Sequence, residues 1–262
     1  MIFGKLLDYI GRHLVDYLTA PIPGFRPAST TDFDKLARAM HTGDVLLVEG
    51  DTRIATAIKY LTMSTWSHSA LYVGAIPDRN EPDGEPHVLV EALVEEGVIS
   101  APLSKYRDFH TRICRPLGLS EEDRRRVAEF AIARIGLQYD VKNIVDLARY
   151  LLPTPPVPSR FRRRLIALGS GEPTRAICST LIAQAFQSVY YPILPRIEDV
   201  TDPDAPVHDP AARKEILAIR HHSLFAPRDF DISPYFAIVK PTIEAGFDFH
   251  NVTWAQADGA AS

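Results

Sequence analysis

Three residues of this 262-residue chain have types and settings that suit acyl-transfer chemistry. Cys178 opens "CSTLIAQAFQSVY" (178–190), where Leu181, Ile182, Ala185, Phe186 and Val189 recur at helical spacing after the structure-breaking "GSGEPTRAI". The pattern places Cys178 in the first turn of a helix. A helix start carries partial positive charge and unpaired N–H groups, which favour thiolate over thiol and can stabilise an oxyanion. The competing reading is a buried cysteine serving as a small hydrophobe, since it shares the apolar face. His68 heads "WSHSALYVG" (66–74), a mostly buried strand ending in glycine, where it is a satisfied core residue, a metal ligand or a general base. Glu91 interrupts the apolar run "VLVEALV". A carboxylate there is either half-buried and in need of a partner, or at a strand edge facing water. A nucleophile on a helix start, a base on a strand and an orienting carboxylate on the next strand would form one constellation.

The remaining candidates are weaker. Cys114, inside the strand "TRICRPLG", reads as structural. The nine histidines are scattered and no Cys/His/Asp set has metal-ligand spacing, so no metal is expected. His221 and His222 are adjacent, which on a strand sends them to opposite sides.

These residues need a scaffold, and the chain is long enough for a substantial core. It is 46% hydrophobic and 24% charged, as ordinary globular proteins are. A net charge of −4 with both signs dispersed argues against a nucleic-acid binder. Two cysteines exclude a disulfide framework. At the N-terminus Ile2, Phe3, Leu6, Leu7, Ile10, Leu14 and Leu18 recur at helical spacing. They predict an amphipathic helix, packed on the domain or docked on a partner or membrane surface. Charges interrupt any signal-like apolar run, so a cytoplasmic location is expected.

Along the chain, a short helix is predicted within 32–40, a glycine-bounded strand at "GDVLLVEG" (43–50) and a helix over 52–64. The His68 strand comes next, then a polar turn loop at 77–86 and a strand–turn–strand over 87–100. A further strand covers 111–118. Ser120 caps the clearest helix, 120–136, with Asp123 at the capping-box position and Gly136 at its end. A helix over about 142–151, a Pro/Arg-rich excursion over 153–173 and a late strand at 235–240 complete the pattern. Helices in the middle flanked by strands predict an α+β fold. The expected organisation is an N-terminal helix and linker (1–39), a catalytic domain (40–245) and a flexible tail (246–262).

In this order, "TGDVLL", "WSHSALYVG", "VEAL", "GLQYD" and "CSTLI" resemble the circularly permuted papain-like peptidases and amidases of the NlpC type, the YiiX/YaeF-like group. In the unpermuted family the Cys helix comes first; here it comes last. The resemblance spans roughly residues 40–240 and implies an antiparallel sheet or barrel packed against a helical subdomain that carries the Cys helix. It implies Cys178 as nucleophile, His68 as general base and Glu91 as the residue orienting the histidine. Asp44 is then structural, while Tyr72 and Tyr139 line the pocket. No metal or organic cofactor is implied. The expected activity is hydrolysis of amide bonds in cell-wall-type or other short peptides through an acyl-enzyme. Two alternatives remain open: a lipid acyltransferase or thiol phospholipase of the lecithin:retinol acyltransferase-like kind, or a catalytically idle binding module. For the lipid alternative, residues 1–20 and "RFRRRL" supply the membrane contact.

Overall fold

The computed structural model describes residues 16–252 except 26, 28, 30, 95, 139–176, 202–212 and 219–224. The helix expected over 142–151, the 153–173 excursion, Tyr139, the His221–His222 pair and the last residues of the tail lie outside the described residues.

Apolar runs with weak alternation form strands covered on both faces. β1 (Val45–Val48), β2 (His68–Tyr72), β3 (His87–Leu93), β4 (Gly97–Pro102), β5 (Thr111–Pro116) and β8 (Phe236–Val239) make one antiparallel sheet. Its order is β4–β3–β2–β1–β5–β8. β6 (Arg196–Thr201) and β7 (Arg213–Ala218) pair separately.

Side-chain alternation sorts the sheet into two faces. Val45, Leu47, Leu71, Val90, Ala92 and Cys114 meet α3 (Glu121–Ile132) and α4 (Ile177–Gln187) through Val127, Ala131, Leu181, Ile182, Ala185 and Phe186. Leu46, Val48, Ala70, Leu89, Ile113 and Val239 meet α1 (Phe33–Ala39), Met40, Leu103 and Tyr106. The mixed helix–strand class is the expected α+β one.

Local signals set most boundaries. Asp32 accepts the Lys35 N–H at the start of α1, Thr52 the Ala55 N–H at α2 (Arg53–Thr62), and Ser120 the Asp123 N–H at α3. Asp44 is fully buried in the turn before β1. It accepts the His41 N–H at 2.9 Å and a two-point contact from Arg115 at 2.8 and 3.0 Å, which fixes β1 against β5.

Two features depart from the sequence pattern. α3 ends at Ile132 rather than running to Gly136, because the chain turns to pair with β4. The Gly136 N–H donates to the Val98 carbonyl at 2.8 Å, and the Val98 N–H donates to the Leu137 carbonyl at 2.9 Å. The β6–β7 pair and the short helices α5 (Pro227–Asp231) and α6 (Pro241–Glu244) were not anticipated. Both short helices carry proline in their first turn, where its missing N–H has no intrahelical partner to lose.

Of the N-terminal segment, Leu18 is buried and Tyr17 is exposed with its ring under Arg53. Pro21 bridges to Thr52, so the end of the apolar stripe packs on the body. Among the described residues no helix is long and apolar enough to cross a membrane.

Candidate active site

The site lies where two neighbouring strands part. β2 and β3 pair at Leu71–Val90 and Tyr72–Leu89, and the ladder ends there although β2 continues back to His68 and β3 on to Leu93. α4 packs over this opening, against both strands. Ser69 shares the Leu47 face of the sheet, the one α4 covers, and alternation turns His68 the other way. Extending the register sets Glu91 opposite Ala70, on the His68 side.

Helical periodicity puts Cys178 in the first turn of α4, as the sequence predicts, and it is 5% exposed. Its sulfur interacts with the His68 ring and with the hydroxyl and backbone N–H of Ser69. The Ser179 hydroxyl is 3.9 Å from the sulfur and 3.3 Å from the Ser69 hydroxyl. Both serines are buried. The opened ladder is what makes this possible: a strand N–H that pairs with no β3 residue is available to the sulfur.

Glu91 is fully buried, which settles between the two readings of the sequence. A carboxylate at that depth must be paired. Its Oε2 lies 2.5 Å from His68 Nε2 and also accepts from the Tyr106 hydroxyl. Its Oε1 accepts from Lys105 Nζ at 2.6 Å. With Nε2 engaged by Glu91, the nitrogen left for the sulfur is Nδ1. Lys105 and Tyr106 belong to one 3-10 turn, Leu103–Tyr106, directly after β4. The Glu85 carboxylate anchors that turn by accepting the Ser104 N–H at 3.1 Å and the Ser104 hydroxyl. Sequence reading missed both donors. The available signal was Glu91 itself, since a buried acid demands a cation and "LSKY" supplies one shortly downstream.

Charge follows from this geometry. Burial pulls the His68 pKa down, but the Cys178 thiolate and then Glu91 override it and hold it up at about 10. Burial pushes Cys178 up; the His68 charge and hydrogen bond, aided by Ser69, outweigh this and bring it to about 7. Burial likewise raises Glu91, and His68 followed by Lys105 reverses the sign, to about 2. Burial and the Glu91 charge hold Tyr106 well above the usual phenol range, so it remains a donor. Between about pH 7 and 10 Cys178, His68 and Glu91 form a thiolate–imidazolium–carboxylate series, with Lys105 on the far side of Glu91.

Other candidates fall elsewhere. Tyr72 is half-buried at the far end of β2, four residues or about 13 Å of strand from His68. There burial and the Asp44 charge raise its pKa, and the structure does not bring it to Cys178. Cys114 is fully buried on β5, with its thiol pushed well up by desolvation. Among the described residues no group of three or more His, Cys, Asp or Glu side chains is arranged to hold a metal ion.

The model of a family described as permuted papain-like amidase enzymes, YaeF/YiiX, C92 family, matches residues 39–150. That stretch holds His68, Glu91, Lys105 and Tyr106; Cys178 lies beyond it. No curated protein matches the chain. Among solved structures, the chain is similar to the metalloprotein yiiX from Escherichia coli O157:H7. Identity is 15%, coverage is 82% of this chain and 98% of that one, and the TM-score is 0.43.

Proposed function

We propose that this chain, whose residues 39–150 match the model of the permuted papain-like amidases, is a thiol hydrolase that cleaves amide bonds of short peptides through a Cys178–His68–Glu91 site. The observation that carries this reading is the His68 ring, which interacts with the Cys178 sulfur and is held at Nε2 by the buried Glu91 carboxylate at 2.5 Å.

The chemistry follows from the charges. The Cys178 thiolate attacks the amide carbonyl carbon, and the carbonyl π electrons move onto oxygen. The Cys178 N–H, among the first four of α4 and so without an intrahelical acceptor, serves as donor to that oxyanion. The C–N bond then breaks as imidazolium His68 gives its Nδ1 proton to the departing amine, leaving a thioester. Neutral His68 next takes a proton from water, whose oxygen attacks the thioester and releases the acid and the thiolate. Proton transfer of this kind contributes about 10²–10⁴-fold to the rate.

The test is a panel of short peptide amides, including cell-wall-type peptides, run beside phosphatidylcholine vesicles as acyl donors. Release of a free amine from the peptides, without acyl transfer from lipid, is the expected result. Acyl release from vesicles alone would favour the lipid acyltransferase or phospholipase reading. The vesicle arm also tests lipid contact through residues 1–20. No covalent turnover on any donor would leave a binding module.

A further inference from the structure

Lys105 enters the site through Glu91 and nothing in the acyl-enzyme chemistry above uses it. Its Nζ takes the carboxylate oxygen that His68 and Tyr106 leave free, at 2.6 Å. Its side chain is 35% exposed, so the ammonium had the option of water and is held on a carboxylate of zero exposure instead. Nζ also lies 5.5 Å from the centre of the Tyr106 ring. The turn that presents it is tethered by Glu85 through Ser104, so its place is built into the fold.

The groups facing this ammonium and its carboxylate come from three elements. β2 contributes His68, β3 Glu91 itself, and the turn Tyr106, which stays protonated; Cys178 on α4 joins this network through His68. A thiolate and a carboxylate share this buried space with one imidazolium. Without a second cation they would carry one uncompensated negative charge, and buried unpaired charge is resolved by taking up a proton. The geometry points to Lys105 as a positioning residue that balances the site: its ammonium holds Glu91 anionic and oriented on His68, and so keeps the thiolate–imidazolium pair populated near neutral pH. This rests on the thiolate reading of the site proposed above.

The sign of the effect is fixed. Removing the cation raises the proton affinity of the network that runs from Glu91 through His68 to the sulfur, so the Cys178 thiolate should form only at higher pH. In Lys105→Met and in Lys105→Gln, the midpoint of iodoacetamide alkylation at Cys178, followed by peptide mass mapping, should rise by about one pH unit. That corresponds to a loss of about fivefold in labelling rate at pH 7. Lys105→Arg keeps the charge and should keep the wild-type midpoint. Two neutral variants keep the test intact if one fails to fold, and the partial exposure of Lys105 favours both. A role limited to packing would lower the rate at every pH without moving the midpoint. An unmoved midpoint in the neutral variants, with the wild type titrating near 7, overturns the role of Lys105 and leaves the thiolate reading standing. A wild-type midpoint in the ordinary thiol range overturns both.

Discussion

Cys178→Ala is expected to remove amide hydrolysis, by at least about 10³-fold in kcat/KM, while the protein still folds. In the proposed mechanism the sulfur is the nucleophile, and no other described thiol can replace it. Cys114 sits on β5 inside the core with a pKa pushed up by burial, far from the thiolate range. Alanine leaves a small space at the opened end of β2, where Ser69 and Ser179 remain hydrogen-bonded to one another. The melting transition should therefore stay close to that of the wild type. Steady-state assays on a hydrolysed peptide amide, with thermal melts of both proteins, make the comparison. Wild-type turnover in a folded Cys178→Ala protein would remove Cys178 from the mechanism.

Glu91→Gln is expected to produce the second-largest loss, about 10²-fold or more at pH 8. Glutamine keeps the shape but withdraws the charge that holds the His68 proton in place. Glu91 is one of the two groups that keep the His68 pKa at about 10 against the pull of burial, so its removal lowers that value. The alkaline limb of the rate profile, where imidazolium is lost as the leaving-group acid, should then move to lower pH. The mirror change at Lys105 moves the profile the other way, because the two residues carry opposite charges on one network. A full pH–rate profile separates lost charge from lost packing, since a packing defect lowers the curve without moving it. A Glu91→Gln enzyme with a wild-type profile would show that the carboxylate has no part in the reaction.

Much of this arrangement was legible in the sequence, and the parts that were not have identifiable causes. His68 and Glu91 stand in apolar strands where a polar residue is conspicuous, and Cys178 stands where helical periodicity begins. Their joint occurrence in order carried the inference that none supported alone. Lys105 and Tyr106 escaped because they lie in a four-residue 3-10 turn, which has no periodicity to read. Tyr72 shares a strand with His68, and the strand spacing of four residues, about 13 Å, already set them apart in the sequence; the pocket role came from the resemblance instead. The parting of β2 and β3, which lets the sulfur reach Ser69 and His68, is a tertiary property. It depends on α4 packing from one face while Tyr106 packs from the other. Likewise α3 stops early because β4 offers its backbone a better partner, a competition between distant segments that no local window contains.

The central claim is that Cys178 exists as a thiolate paired with protonated His68 in the resting protein. Site-resolved alkylation of Cys178 with iodoacetamide across pH 5 to 10 tests it without requiring a substrate. The structure predicts a rise centred near pH 7, well below an ordinary thiol, with Cys114 unlabelled throughout and the low midpoint lost in His68→Ala. A Cys178 that labels only above pH 8.5, or identically with and without His68, would contradict the account.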